Sequence, residues 1–440
     1  MRLQRHRCKD WISPPSLPSR SLDQQPSFEE RKMSELALLG GEPVKKTPFP
    51  AWPVYDENER QALTQVLESR VWWRTPGTQT LAFEQEFAAY HQAQFGIAVT
   101  NGTAALEVAL SALEIGQGDE VIVPDFTFVA TASAVLFTGA LPVLVDVTPD
   151  TFCIDPAQVE AAITPRTKAI IAVHVGGHPA DLDALRELAH RYGVYLVEDS
   201  SHAHGAEWKG HKIGAIGTVG TFSFQASKLM TAGEGGIIIT NSPDLERKAR
   251  STHDCGRMPG EWFYAHFIYG SNYRLSEWQG AVLRQQLKRL DEQAAIRSRN
   301  AAFLDRELPK IEGITPQKLD PRVTRHGYYA YIFHVDRRAF AGISTERFIA
   351  AFNAEGIPTQ ASYPPLHELD VFKSGAYRKR LGEVHARSEH PFLRSGFPNT
   401  LKAAWETVWL PNPVMLGSEE EMQMIVEAIR KIQRFANALK

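Results

Sequence analysis

Short apolar runs alternate with stretches of helical periodicity from about residue 80 to residue 200. Runs that are almost wholly apolar predict strands buried on both faces, and the segments between them carry apolar residues at helical spacing. This alternation predicts an α/β fold, in which a mostly parallel sheet is flanked by helices. The predicted strands are FGIAVTNG (95–102), EVIVP (120–124), PVLVDV (142–147), TKAIIAVHV (167–175) and YLVED (195–199).

The pattern changes in the last third of the chain. Ser276 with Gln279, and Ser418 with Glu421, have the spacing of a capping box, so each pair predicts the start of a helix. Between the two helices, YYAYIFHVD (328–336) predicts a strand. These elements indicate a second, smaller α+β domain hinged on the first of the two helices.

The N-terminal segment differs from the rest of the chain. MRLQRHRCKDWISPPSLPSRSL has five arginine or lysine residues, one acid and several Ser and Pro. We interpret residues 1–33 as a disordered tail or an upstream extension, with a transit peptide as the alternative. The predicted division of the remainder is a large cofactor-binding domain with an N-terminal arm over 34–280 and a small C-terminal domain over 281–440.

Composition and charge narrow the function classes. The formal net charge is -3, which argues against a general nucleic-acid binder. No apolar run approaches the roughly 20 residues needed to cross a bilayer. The three cysteines form no CxxC pair, so neither a disulfide framework nor a structural zinc site is expected. A reducing, cytoplasmic compartment fits this cysteine usage.

Ligands of open parallel sheets bind beyond the carboxyl ends of the strands, so polar residues at those ends come first. In VTNGTAAL (99–106), Gly102 and Thr103 lie at a helix start, where free N–H groups favour an anion. The alternative is a glycine turn with Thr103 as the N-cap. Asp199 ends the apolar strand YLVED, where a carboxylate needs a cationic partner, and a protonated ring nitrogen of a cofactor would serve.

The histidines that follow Asp199 leave two interpretations open. His202 and His204, with Asp199 and His174, are of the residue types that bind a metal. Taken singly, the histidines are polar residues satisfied by hydrogen bonds near the sheet edge.

One lysine lies at the tip of a predicted hairpin, FSFQASKLMTAGEGG (222–236). In a partly desolvated pocket, Lys228 becomes a nucleophilic amine, with the hydroxyl of Ser223 nearby. The alternative is a surface hairpin with a solvated lysine. Downstream, in GSNYRLSEWQGA, Arg274 is either an anion contact or an ordinary surface ion pair. An anion site, a strand-end acid and a buried lysine together match pyridoxal 5′-phosphate, which has a phosphate, a basic ring nitrogen and an aldehyde.

These motifs resemble the DegT/DnrJ/EryC/StrS family, the pyridoxal-phosphate-dependent sugar and cyclitol aminotransferases of fold type I. The resemblance runs from about Leu36 to the C-terminus. The blocks that carry it, in family order, are NGTAAL, PDFTFVATASAV, HVGGHPADLDAL, EDSSHAHGA, FSFQASKLMTAGEGG and GSNYRLSEWQGA.

The resemblance implies roles for individual residues. It makes Lys228 the catalytic residue, which holds the cofactor as a Schiff base and then moves a proton. It places Arg274 and His367 near the substrate. Trp73, in VWWRTPG (71–77), either stacks on a ring-shaped acceptor or simply packs. The cofactor-binding residues that it implies are Gly102, Thr103, Phe128, Asp199, His202, Ser223, Lys228 and Asn272.

The implied activity moves an amino group from L-glutamine or L-glutamate to a keto group of a sugar or cyclitol. A homodimer is expected, because Asn272 in this family reaches the phosphate of the neighbouring subunit. His202 stands where many relatives have Gln, and LALLGGEPV near the start favours the cyclitol and aminohydroxybenzoate branches. The alternatives are an aminohydroxybenzoate-synthase-like enzyme, a non-catalytic cofactor-binding regulator, and a metal-dependent hydrolase built on Asp199, His202 and His204. No nucleic acid, membrane or metal partner is expected.

Overall fold

The computed structural model describes residues 36–258, 260–381 and 396–440, so the predicted tail over 1–33 lies outside the described residues. The described strands form one large sheet and two small ones. The strands are β1 (Phe95–Val99), β2 (Glu120–Pro124), β3 (Leu141–Val145), β4 (Thr167–Val173), β5 (Tyr195–Asp199), β6 (Glu207–Trp208), β7 (His211–Lys212), β8 (Val219–Ser223), β9 (Gly236–Thr240), β10 (Ile314–Pro316), β11 (Val323–Arg325), β12 (Ala330–Val335) and β13 (Thr407–Pro411).

The large sheet has seven strands in the order β1-β9-β8-β5-β4-β2-β3. Within it β9 runs antiparallel to both of its neighbours, and the other pairings are parallel. All five strands predicted from the apolar runs are present, so the predicted α/β fold with a mostly parallel sheet is confirmed. The predicted hairpin is also present, because β8 and β9 pair with Ser223 opposite Gly236.

Helices cover the sheet and build the C-terminal part of the chain. The two capping boxes expected from the sequence form at Ser276 and Ser418. None of the described helices is long and apolar enough to cross a membrane. The helices are α1 (Glu57–Ser69), α2 (Gln79–Tyr90), α3 (Gly102–Ala112), α4 (Ala130–Thr138), α5 (Pro156–Ala162), α6 (Leu182–Tyr192), α7 (Pro243–His253), α8 (Glu277–Glu307), α9 (Thr345–Ala354), α10 (Asp370–Lys373), α11 (Pro398–Glu406) and α12 (Glu419–Phe435).

The long helix α8 contributes to both main hydrophobic clusters, with Leu290 in the larger and Ala301 and Leu304 in the smaller. The larger surrounds the seven-stranded sheet, and the smaller packs α12 and α9 against the three-stranded sheet β10-β12-β13. The larger cluster also includes Tyr329 and Trp409, which come from the C-terminal part. The division at residue 280 therefore stays a prediction, since the C-terminal residues pack into the larger cluster as well as forming their own.

Buried ion pairs fix the segment that contains the two adjacent tryptophans. Glu84 on α2 is buried and accepts two hydrogen bonds from the guanidinium Nη2 of Arg74, at 3.1 and 2.8 Å. The same carboxylate accepts from Arg250 on α7 at 3.1 Å and from the N–H of Ala98 in β1 at 2.9 Å. Charge-assisted bonds of this kind are stronger than neutral ones. They attach residues 71–77 to the edge of the sheet.

Candidate active site

A cavity of about 640 Å³ opens at the carboxyl ends of the parallel strands. Its lining comes from the segments that follow β1, β2, β5 and β8, as expected for an open parallel sheet. Seven of the predicted site residues line it: Gly102, Thr103, Phe128, Asp199, His202, Ser223 and Lys228.

The start of α3 forms one end of the cavity. The side chain of Asn101 accepts from the N–H of Ala104 at 2.8 Å, so the N-cap is Asn101 and the alternative with Thr103 as N-cap is wrong. The N–H groups of Gly102 and Thr103 have no hydrogen-bond partner among the described residues. Free first-turn N–H groups and the helix dipole make this end suited to an anion.

Gly102 is required by the packing of α3 against the sheet. A Cβ at this position would lie 2.7 Å from the Cβ of Ser223 and 3.1 Å from its Oγ. Because glycine allows this approach, the hydroxyl of Ser223 at the end of β8 lies beside the first turn of α3. Helix N–H groups and a hydroxyl thus converge on one point.

Asp199 is buried at the end of β5, with one hydroxyl on each carboxylate oxygen. Oδ2 accepts from Thr131 Oγ1 at 2.9 Å, and Oδ1 accepts from Ser201 Oγ at 2.7 Å. Thr131 is in turn 2.9 Å from the hydroxyl of Thr127. These bonds fix the orientation of the carboxylate at the cavity wall, where it can pair with a bound cation.

Lys228 lies on the connection between β8 and β9 and lines the cavity, so the alternative of a solvated surface lysine is not supported. Its Nζ is 4.6 Å from the centroid of the Tyr329 ring. Burial lowers the pKa of Lys228 to about 8, and the charge of Asp199 acts in the opposite direction. A larger fraction of this amine is neutral near pH 8 than for an ordinary lysine, as a nucleophile requires.

His202 lies in the turn after β5 rather than on a strand. Its ring stacks on Tyr329, with centroids 4.0 Å apart, and its Nε2 is 2.9 Å from the hydroxyl of Tyr363. Burial, followed by the charge of Lys228, holds the pKa of His202 well below its usual value, so the ring is neutral. Its Nδ1 is buried without a hydrogen-bond partner among the described residues.

The three histidines considered for a metal have separate partners. Nε2 of His204 bonds to the carbonyl of Ser223 at 3.0 Å, and Nε2 of His174 lies 3.2 Å from Glu198. In the described part of the chain, no three His, Cys, Asp or Glu side chains are grouped so that they could hold a metal ion. The metal-dependent hydrolase therefore loses the cluster on which it depended.

The fold and the site geometry agree with a comparison to known families. The model of the DegT/DnrJ/EryC1/StrS aminotransferase family matches residues 53–430. The chain belongs to this family. The resemblance noted from the sequence blocks is thereby confirmed, and the protein is an aminotransferase.

Similar proteins extend this finding over nearly the whole chain. The 3-amino-5-hydroxybenzoate synthase of Amycolatopsis mediterranei is 42% identical over 395 residues, which cover 88% of this chain and 98% of that protein. The L-glutamine:2-deoxy-scyllo-inosose aminotransferase of Streptoalloteichus tenebrarius is 40% identical over 421 residues, 92% of this chain and 99% of that protein.

Among solved structures, that of a 3-amino-5-hydroxybenzoic acid synthase has a TM-score of 0.80 to this aminotransferase. It is 39% identical, and the match covers 90% of this chain and all of that one. The predicted fold type I architecture is confirmed by this similarity.

Three predicted residues of the aminotransferase lie close together and are not among the described residues that line the cavity of their own chain. Asn272 is exposed and bridges to the backbone of Asp254. Arg274 donates to the carboxylate of Asp254 at 2.5 Å, and its guanidinium lies 5.6 Å from the Trp73 ring. Trp73 is exposed. Within one chain, these three residues are therefore not shown to share the cavity with Lys228.

His367 also lies outside the cavity lining. Its Nδ1 is 2.6 Å from Oδ2 of Asp125, and its ring stacks on Phe397 with centroids 4.7 Å apart. The hydrogen bond to Asp125 raises the pKa of His367. The resemblance had placed His367 near the substrate, whereas the structure directs this side chain toward a buried carboxylate.

Among the cavity residues that sequence reasoning missed are Thr131, Ser201, Tyr329 and Tyr363. Ser201 could have been predicted from the sequence, because it follows Asp199 by two positions. Thr131 is the second residue of α4, which follows β2, and β4 separates β2 from β5, so only the strand order reveals the contact of Thr131 with Asp199. The two tyrosines come from the C-terminal part, which folds back over the strand ends.

Proposed function

We propose that this aminotransferase uses pyridoxal 5′-phosphate to transfer an amino group from L-glutamine, or from L-glutamate, to the keto group of a cyclitol or sugar. The observation that carries the proposal is the convergence of Lys228, Asp199 and the open start of α3 on one cavity. An amine, an acid and an anion site are the three groups that this cofactor requires.

The residues present fit the cofactor. The free N–H groups of Gly102 and Thr103, together with Ser223 Oγ, would hold its phosphate. Asp199 would bind its ring nitrogen, and Lys228 its aldehyde. Phe128 and His202 line the cavity between these groups and would flank the ring. When bound, the cofactor supplies the aldehyde that takes the amino group and a ring that stabilises negative charge on the substrate carbon.

The protein side chains then divide the work. The Asp199 carboxylate, held by two hydroxyls, favours the protonated form of a nitrogen base bound against it. Lys228 accepts a proton at Nζ and returns it, and a pKa of about 8 suits both directions near neutral pH. His202 is neutral, so it places no second positive charge near the ring nitrogen that Asp199 would bind.

The charge that one chain contributes to the cavity favours an acceptor without phosphate groups. Asp199, Glu107 and Glu234 line it, and Lys228 is the one lysine or arginine among the described lining residues. A nucleotide sugar would bring a diphosphate that normally binds several cationic side chains. A polyhydroxylated ring needs none, which supports a keto cyclitol. The similarity to enzymes named for scyllo-inosose substrates supports the same class.

We propose a cytoplasmic homodimer in which each active site is completed by the neighbouring subunit. The segment before Asn272 exposes several aromatic side chains, including Trp262 at 72% and Tyr269 at 100% of their surface. Exposed apolar groups of this extent mark interaction surfaces. In a dimer this face would cover the partner's cavity and bring Asn272, Arg274 and Trp73 to it.

Absorption spectroscopy tests the cofactor and the donor together. Purified protein supplied with pyridoxal 5′-phosphate should turn yellow, and L-glutamine should bleach it faster than L-glutamate. Formation of an aminocyclitol from 2-deoxy-scyllo-inosose should follow. A protein that stays colourless would refute the role of Lys228.

The second candidate, an aminohydroxybenzoate-synthase-like enzyme, is favoured by the 42% identity to such a protein. Release of 3-amino-5-hydroxybenzoate, with no amination of cyclitols, would select it. A yellow protein that is bleached by neither donor and aminates no ketone would favour a non-catalytic regulator.

A further inference from the structure

The segment 363–367 is fixed to the end of β2 by one buried carboxylate. Oδ1 of Asp125 accepts from the backbone N–H of His367 at 2.9 Å, and Oδ2 lies 2.6 Å from Nδ1 of the same residue. The carbonyl of Asp125 also accepts from the N–H of Leu366 at 3.0 Å. Three bonds between two short stretches leave this segment little freedom relative to the sheet.

The same segment carries Tyr363 into the cavity lining. The Tyr363 ring packs near Phe126, Phe128 and Trp409, with centroids 6.2, 6.0 and 5.5 Å away. Its hydroxyl is 2.9 Å from Nε2 of His202. The side chain of this segment that faces the reaction space is therefore Tyr363.

In the hydrogen-bonded pair of Tyr363 and His202, one donor group has no hydrogen-bond acceptor among the described residues. Burial raises the pKa of Tyr363 well above its usual value, and His202 is neutral, so a single proton lies between the two. If Tyr363 donates, the N–H at Nδ1 of His202 is unused, and if His202 donates, the hydroxyl proton of Tyr363 is unused. A buried polar group without a hydrogen bond is costly, and a bound hydroxyl would satisfy it.

We propose that Tyr363 and His202 bind a hydroxyl group of the acceptor substrate, and that Asp125 and His367 form a clamp that positions Tyr363 for this contact. The inference rests on the proposed function, because it assumes a hydroxylated acceptor. Tyr363 contacts the substrate in this scheme, and His367 acts on it only through the segment. A site that hydrogen-bonds a hydroxyl discriminates strongly against analogues that lack it.

A double-mutant cycle tests the clamp. Tyr363→Phe removes only the hydroxyl, and His367→Leu removes the ring nitrogens that bind Asp125. Each change should raise KM for the acceptor about tenfold, with a much smaller change in kcat, because about one hydrogen bond is lost. The double variant should also stay near tenfold, since both changes remove the same contact. His367→Asn, whose side-chain N–H can reach Asp125, should restore most of the affinity.

Additive effects would overturn the inference. A rise of roughly a hundredfold in the double variant would mean that His367 contacts the substrate by itself. A series of acceptor analogues, each lacking one ring hydroxyl, gives a second check. One analogue should bind to wild type and to Tyr363→Phe with equal affinity. If every analogue still binds the two proteins with different affinity, Tyr363 does not bind a ring hydroxyl.

The clamp can be measured without catalysis, in the cofactor-free protein. The hydrogen bond to Asp125 is the main cause that raises the pKa of His367; burial opposes it, Glu368 raises the pKa further and Lys373 lowers it. The stabilisation is present below the ordinary histidine pKa and is lost as pH rises through the raised value. The difference in Tm between wild type and His367→Leu should therefore shrink from pH 6 to pH 9. His190→Leu, at an exposed position, serves as a parallel control for replacing a histidine by leucine.

The outcomes separate the clamp from the function. A Tm difference that does not vary with pH would refute the ion pair between Asp125 and His367, and this conclusion would not depend on the reaction that the enzyme catalyses. If the pair is present but no ketone is aminated, the proposed function fails, and with it the assignment of Tyr363 to the acceptor. Affinity for pyridoxal 5′-phosphate, followed by fluorescence, should change less than about threefold in His367→Leu, which excludes general damage to the site.

Discussion

Substitution of Gly102 by alanine perturbs the cavity at a single point. The added Cβ would lie 2.7 Å from the Cβ of Ser223, 3.1 Å from its Oγ and 3.3 Å from its Cα. Two of these three atoms belong to the short, stiff part of a strand residue, so rotation of a side chain cannot relieve the contact. Either the start of α3 or the end of β8 must move.

The size of the effect follows from the overlap. Carbon atoms rest about 3.5–4.0 Å apart, so the groups must separate by roughly 1 Å. Overpacking of this kind costs about 1–3 kcal/mol of folding stability. The same displacement separates Ser223 from the N–H groups of the first turn of α3. Loss of one charge-assisted bond of about 1.5–3 kcal/mol would weaken binding of a phosphate by roughly ten- to a hundredfold.

Gly116 gives a matched control near the other end of the same helix. A Cβ there would meet only the carbonyl oxygen of Thr138, at an ordinary 3.7 Å. Fluorescence titration of the cofactor-free proteins with pyridoxal 5′-phosphate, together with thermal unfolding, would measure both effects. Gly116→Ala should match wild type in both assays. Wild-type cofactor affinity in Gly102→Ala, or an equal loss in Gly116→Ala, would refute the assignment of this helix start to the phosphate.

Three further predictions follow from the site. Lys228→Ala should abolish amino transfer while leaving the fold intact, and an active variant would contradict the mechanism. In the cofactor-free protein Lys228→Met should unfold at a higher temperature than wild type at pH 7. Because the folded pKa of Lys228 is about 8 and the unfolded value is higher, this advantage should fade as pH rises through 8 to 10; a constant difference would show that the ammonium is not desolvated. Mixing inactive Asn272→Ala and Lys228→Ala subunits should restore part of the activity, measured after exchange, and no restoration would count against a site shared between subunits.

The half of the site on the large sheet was predictable from the sequence. Apolar runs located the strands, and parallel strands place their carboxyl ends at one edge. Asp199 at the end of one such run and Lys228 on the connection after β8 were therefore expected to lie at one edge of the sheet. The glycine at position 102 was also predicted, but for another reason. It was expected to admit an anion, whereas in the fold it admits the end of β8.

The remaining half depends on how the C-terminal part returns to the sheet. Nothing in YYAYIFHVD or SYPPLH states which strand end it will cover. Tyr329 and Tyr363 reach the cavity because Trp409 and its neighbours pack into the larger hydrophobic cluster. Long-range packing of this kind leaves no local pattern. His367 illustrates the result, since the resemblance implied a place near the substrate and the side chain bonds to Asp125 outside the described cavity lining.

The residues that would bind the cofactor and those that would bind the acceptor lie on different parts of the fold. The groups that fit the cofactor lie at the ends of β1, β5 and β8, where the sheet fixes the backbone. Tyr363 lies on a loop attached through Asp125, and Trp73 is exposed with the half-buried Arg274 beside it. Loops tolerate change more readily than a buried sheet. Substitutions on these elements can therefore alter the shape and polarity of the acceptor site while leaving Asp199 and Lys228 in register. By this reasoning, exchange of residues 361–369 for those of a relative should change the preferred ketone and leave the choice of amino donor largely as it was.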